Sequence, residues 1–135
     1  MSGLQQGARR KILFVDDHDS YRATVAEMLK RRGFDTTEAK NGEAALAILE
    51  QTGCIFDLVL TDVVMPGMNG VALASRVQSL HEGLKTLLIS GYPPAILEGK
   101  FGMSTDLLPF FLSKPFTIEA LCAKIAEITG RGETV

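Results

Sequence analysis

Short apolar runs alternate along the chain with stretches whose apolar residues recur every three or four positions. Ile12-Leu13-Phe14-Val15, led by Lys11, is too short for a helix and has strand-type side chains, so it predicts a buried strand. It stops at Asp16-Asp17-His18-Asp19. Tyr21, Val25, Met28 and Leu29 then share one helical face. Lys30-Arg31-Arg32 puts cations at the end of that helix, where the backbone dipole favours them, and Gly33 stops it. Phe34 to Ala39 predicts a second strand, Asn41-Gly42 a turn, and Ala45, Ile48, Leu49 and Thr52 a second helix. A third strand is expected over Phe56 to Leu60, closed by Thr61-Asp62; Met65 to Gly70 demands turns, and Leu73, Ala74 and Val77 resume a helix. Thr86 to Ile89 predicts a fourth strand ending in Ser90-Gly91. Tyr92-Pro93-Pro94 interrupts regular structure, and a short helix is expected around Ile96 to Lys100. The Gly- and Pro-rich stretch from Gly91 to Pro109 is expected to be mobile and partly irregular. Leu107 to Leu112 predicts a fifth strand, at a sheet edge because Pro109 cannot donate to a ladder. Thr117 is placed to cap a last helix whose stripe is Ile118, Leu121, Cys122, Ile125 and Ile128, ended by Gly130.

Five strands alternating with five helices predict an α/β domain. Strands that are apolar throughout belong in a parallel sheet covered on both faces, with right-handed crossovers. In such sheets chemistry gathers beyond the carboxyl ends of the strands. A chain of 135 residues holds one domain, and 46% apolar residues give it a core. We expect residues 1–9 to be a flexible leader, 10–130 the folded domain and 131–135 a tail.

A net charge of −2 argues against electrostatic binding to nucleic acid or an acidic membrane surface. No apolar run reaches the ~18 residues of a membrane span, and Met1 to Arg10 has no signal-peptide core, so a cytoplasmic protein is expected. Cys54 and Cys122 lie in apolar patterns without metal-ligand spacing and suit a reducing compartment.

The polar residues at the strand ends carry the candidate chemistry. The first strand ends in Asp16-Asp17, the third in Asp62, the fourth in Ser90 and the fifth in Ser113-Lys114. One sheet edge would therefore gather three carboxylates, a hydroxyl and an ammonium. Close carboxylates repel, so something positive must offset them. Lys114 supplies one charge, and a hard divalent cation such as Mg²⁺ suits the oxygen donors. His18 is the one nearby imidazole and is expected to be a surface residue, which makes zinc a poor match. A carboxylate in such a setting can attack phosphorus and form an acyl phosphate.

The chain resembles the receiver domain of two-component response regulators, from about Arg10 to Thr129. The matching features are Val15-Asp16-Asp17, the segment Asp62-Val63-Val64-Met65-Pro66-Gly67-Met68-Asn69-Gly70, Ile89-Ser90-Gly91-Tyr92 and Ser113-Lys114-Pro115-Phe116. The resemblance implies a flavodoxin-like doubly wound (βα)5 fold with strand order 2-1-3-4-5. It implies that Asp62 is the phosphoacceptor. Asp17 would be the more direct Mg²⁺ ligand and Asp16 would act mainly through a metal-bound water. The Val64 carbonyl would complete the protein's contacts to the ion. Ser90 would sense the phosphoryl group, Lys114 would bridge it to the switch, and Phe111 would be the switch aromatic, with Tyr92 its rival. The Lys114-Pro115 bond is expected to be cis.

The implied function is a signalling receiver, not a turnover enzyme, which promotes its own phosphorylation and dephosphorylation. Its phosphoryl donor would be a sensor histidine kinase or a histidine phosphotransfer protein, and a switched surface would meet a downstream protein target. Weak homodimerisation is left open. The 135 residues include no helix-turn-helix output segment, so a stand-alone or excised receiver is expected; the flanking motifs resemble those of receivers attached to hybrid sensor histidine kinases.

Three other readings compete. An aspartyl-nucleophile phosphatase commonly has a second acid two residues after the nucleophile, where this chain has Val64. A pseudo-receiver would lack acceptor-site residues, and here all are present. A flavin-binding protein would need a phosphate cradle after the first strand, where Asp16-Asp17-His18-Asp19 would repel it.

Overall fold

A computed structural model describes residues 9–130. The leader and tail expected at 1–9 and 131–135 thus lie outside the described residues, Arg9 excepted. The strands are β1 (Lys11–Val15), β2 (Asp35–Ala39), β3 (Leu58–Asp62), β4 (Lys85–Ser90) and β5 (Phe111–Ser113). The helices are α1 (Asp19–Arg31), α2 (Gly42–Thr52), α3 (Gly70–Leu80), α4 (Pro94–Phe101) and α5 (Ile118–Thr129), with a 3₁₀ helix over Thr105–Phe110. All strand pairs are parallel, in the order β2-β1-β3-β4-β5, as the resemblance implied.

Successive strand residues face opposite ways, so each strand feeds two cores. Ile12, Phe14, Leu58, Leu60, Leu87 and Ile89 pack on one face against Val25 and Leu29 of α1 and Leu121 and Ile125 of α5. Leu13, Val15 and Val59 pack on the other against Ala45 and Leu49 of α2 and Leu73 and Val77 of α3. A third cluster joins Val63, Ala74 and Leu88 to Leu97, Met103 and Phe111.

Helix starts follow local chemistry. Asn41, Asn69 and Thr117 cap α2, α3 and α5 by accepting from the backbone N–H groups of Ala44, Ala72 and Ala120 at 2.7, 2.8 and 3.0 Å. Pro94 opens α4, where its missing N–H costs nothing, and Gly102 ends it in the left-handed region at φ +74°.

Three expectations need correction. The fifth strand is not Leu107 to Leu112. The Ser104 side chain accepts from the Asp106 N–H at 3.1 Å and starts a 3₁₀ turn, which Pro109 tolerates better than a ladder, so pairing begins only at Phe111. The third strand starts at Leu58 and includes Asp62, because Phe56-Asp57 is spent on docking: the Asp57 N–H donates to the Lys11 carbonyl and its carboxylate accepts from the Lys11 N–H, both at 2.8 Å. Met28 is exposed; α1 buries Val25, Ala26 and Leu29 instead. The helix expected around Ile96 to Lys100 is a regular one over Pro94–Phe101, so the irregular part of that stretch lies after it.

Candidate phosphoacceptor site

Strand register brings the candidate residues together. Val15 lies opposite both Ala39 and Thr61, Asp62 opposite Ile89, and Ser90 opposite Ser113. The residues just past these positions share one sheet edge. Three backbone bonds extend the ladders there: Asp16 N–H to Ala39 O (3.1 Å), Val63 N–H to Ile89 O (2.9 Å) and Lys114 N–H to Ser90 O (2.9 Å). The Lys114-Pro115 bond is cis, as expected.

Asp16 is fully buried. Its Oδ1 accepts from the His18 N–H at 2.8 Å, while Oδ2 has no hydrogen-bond partner and lies 3.8 Å from Lys114 Nζ. Asp17 turns a buried Oδ1 inward, also without a hydrogen bond. Asp62 is 5% exposed, and its Oδ2 sits 3.4 Å from Lys114 Nζ. Burial pushes the Asp62 carboxyl above the ordinary carboxylate range; Lys114 pulls it back and the Asp16 charge raises it again. Ser90 is buried, and its Oγ accepts from the Tyr92 N–H at 3.1 Å.

Two residues entered the site that the sequence pattern did not mark. The Tyr21 ring, placed only on the apolar face of a helix, lies 4.4 Å from Lys114 Nζ, a cation–π contact that holds the ammonium over the acids. The Tyr21 phenol is pushed up to about 12 by burial, then by the Asp16 and Asp62 charges. Arg22 donates from its Nη1 to the Asp16 carbonyl at 2.7 Å and from its Nε to Glu38 at 3.0 Å, and pairs with Asp19 at 3.0 Å, tying the β1–α1 loop to β2. The signal that could have found both is their placement one turn into the helix after Asp16-Asp17, where side chains point back toward its N-terminus.

Gly70 closes the floor. A Cβ there would lie 2.8 Å from Val63 Cα and 3.0 Å from the Asp62 carbonyl carbon, so the first turn of α3 rests on the acceptor's own backbone. Val64 packs against the third core cluster. Phe111 is buried in that cluster, whereas Tyr92 is half exposed and stacks on Phe101 at 6.4 Å between ring centroids.

Asp16, Asp17, His18 and Asp62 each offer a ligand atom, and the four atoms lie within 4.8 Å of one another. Two buried carboxylate oxygens without a donor, in a set that is all oxygen save one imidazole, fit a hard divalent cation.

The Response regulator receiver domain family matches residues 12–126. The chain belongs to that family. It is a receiver domain of the two-component kind. It is 34% identical over 125 residues to the sensor kinase CckA of Brucella abortus, covering 87% of this chain but only 12% of that protein. It is 31% identical to the response regulator receiver protein CpdR of the same organism, covering 88% of this chain and 96% of CpdR. Among solved structures, the receiver domain of the hybrid histidine kinase CckA superposes with a TM-score of 0.69 at 33% identity, over 87% of this chain and 96% of that one. The Thermotoga maritima response regulator TrrA, in complex with Mg²⁺-BeF, gives 0.73 at 27%, over 87% and 97%. Among the described residues of this receiver, no helix is long and apolar enough to cross a membrane.

Proposed function

We propose that this receiver takes a phosphoryl group onto Asp62 in an Mg²⁺-dependent reaction, from a sensor histidine kinase or a histidine phosphotransfer protein. The observation that carries the reading is the Asp62 carboxylate held 3.4 Å from Lys114 Nζ beside two further acids. An Asp62 oxygen attacks phosphorus, a C–O–P linkage forms, and the donor's P–N bond breaks with its electron pair leaving on the imidazole. Asp16, Asp17, Asp62 and the Val64 carbonyl would hold the cation, which supplies charge neutralisation for the transferred oxygens. Lys114 balances a second oxygen, and the Ser90 hydroxyl exchanges the Tyr92 N–H for the new acceptor.

The added charge then shifts an existing equilibrium. Ser90 moves toward the phosphoryl group, Phe111 follows into the space vacated, and the face built from α4, β5 and α5 presents itself differently to a downstream protein. The resemblance to a kinase-borne receiver and to a free-standing one supports both contexts equally. The receiver also promotes its own dephosphorylation, slowly, because Val64 offers no polar group to an attacking water.

The test is incubation with acetyl phosphate and Mg²⁺. The native protein should gain a label lost in alkali and in hydroxylamine, as acyl phosphates are; Asp62→Asn or chelation should abolish it. Equal labelling of Asp62→Asn would refute the assignment.

A further inference from the structure

The imidazole of His18 is not accounted for by the reading above. His18 precedes α1 as its N-cap but makes no side-chain capping bond. Its backbone N–H is tied to Asp16 Oδ1 at 2.8 Å, which fixes its Cα beside the acids. Its Nδ1 stands 3.5 Å from Asp16 Oδ1 and 3.5 Å from Asp17 Oδ1, longer than an ordinary hydrogen bond to either. Two donors bound to one ion at about 2.1 Å lie roughly 3.0 Å apart when adjacent and roughly 4.2 Å when opposite. The 3.5 Å separations and the 4.8 Å limit on the four-residue cluster are therefore close to a coordination sphere. The fully buried Asp16 carboxylate independently points to a ligand, because its Oδ2 has no hydrogen-bond donor and its counter-charge, Lys114 Nζ, stands 3.8 Å away, beyond hydrogen-bond reach.

We propose that His18 is a nitrogen ligand at this site and gives it affinity for divalent transition ions of borderline softness, Co²⁺ and Zn²⁺ above all, beyond what its carboxylates confer. The inference rests on reading the pocket as a divalent-cation site. Imidazole adds little for Mg²⁺, which prefers oxygen and keeps its waters, but is a strong donor to cobalt and zinc. The side chain is 70% exposed, so it can swing onto an ion without unpacking the core.

The experiment is calorimetric titration of the 135-residue protein with MgCl₂ and, separately, CoCl₂, for the native chain, His18→Ala and His81→Ala. His81 is the chain's other histidine and serves as control. The expected result is a loss of at least tenfold in Co²⁺ affinity for His18→Ala, with Mg²⁺ affinity moving less than threefold and His81→Ala matching the native chain. The Co²⁺ form should also show a paramagnetically shifted, exchangeable imidazole N–H proton that His18→Ala lacks. Equal Co²⁺ affinities in native and His18→Ala protein overturn the proposal; so does a parallel fall for both ions, which would mark His18 as merely structural. Acetyl phosphate labelling in Mg²⁺ separates the two readings. Label at Asp62 without a His18 effect sinks this inference alone, and a His18 effect without label sinks the phosphoacceptor reading alone.

Discussion

Gly70→Ala should damage stability and phosphoacceptor chemistry together, although Gly70 touches no substrate. The new methyl carbon would sit 2.8 Å from Val63 Cα and 3.0 Å from the Asp62 carbonyl carbon. Carbon atoms at ease lie about 3.5–4.0 Å apart, so the overlap is roughly 0.7 Å. The Asp62 carbonyl oxygen is nearer still; all three obstacles are backbone, and no rotamer change relieves them. Either α3 lifts off the sheet or the end of β3 moves. Overpacking in a well-filled interior costs about 1–3 kcal/mol, and the backbone setting places this variant at the top of that range. For a domain of this size about 3 kcal/mol lowers Tm by roughly 10–15 °C. A displacement approaching 1 Å at Asp62 should also slow labelling by acetyl phosphate on the order of 10²-fold. Gly99→Ala is the matched control: it lies within α4 with open space around it and should gain up to about 1 kcal/mol. Urea denaturation with labelling rates on the same samples decides the matter. A Gly70→Ala protein within 0.5 kcal/mol of native, measured about the ~1 kcal/mol scale of a typical substitution, would refute the close-approach argument.

Four further outcomes are expected. Because the folded-state pKa of Asp62 is raised, its contribution to stability is full below the ordinary carboxylate pKa and is lost as pH rises through the folded value; in chelator, Asp62→Asn should therefore exceed the native protein's Tm at pH 7 and lose that advantage toward pH 3, and a constant difference across this range would contradict the burial argument. Tyr21→Leu should slow labelling by roughly two- to thirtyfold through loss of a cation–π contact of about 0.5–2 kcal/mol, while Tyr21→Phe stays within twofold; equal rates in both variants would discard the ring's role. Val64→Asn should shorten the acyl-phosphate lifetime, read by decay of the label after donor removal, and an unchanged or longer lifetime rejects the water-orienting argument. The amides of α4 that follow Pro94 should exchange with deuterium faster than those of α5, since Leu97 is the one residue of α4 that is buried, and protection equal to α5 would contradict local mobility.

The strand tips were legible because parallel sheets align apolar runs of similar length, and each run here ends in a chemically distinct residue. Asp16-Asp17, Asp62, Ser90 and Lys114 meet for that reason. The helix cap at Thr117 was equally local. What escaped the sequence depends on the angle at which a helix crosses the sheet. Tyr21 and Met28 look alike on a helical wheel, yet one ring lies under Lys114 and the other side chain faces water. Arg22 was harder to see because the two partners that tie it to the site, the Asp16 carbonyl and Glu38, lie outside its own helix, and only Asp19 is a neighbour within α1. The Leu107–Phe110 run was misread because apolar residues pack in a 3₁₀ turn as readily as in a strand, and only the Ser104 cap and Pro109 tip the balance.

The lengths of the two outer strands make the sheet lopsided. Asp16 and Asp62 follow or end five-residue strands paired on both sides, whereas Lys114 follows a three-residue border strand paired on one. A border held by so few rungs yields first when the sheet is disturbed. The acids thus form an anvil and the lysine a hammer, and reshaping this pocket falls on the flank that is cheapest to move.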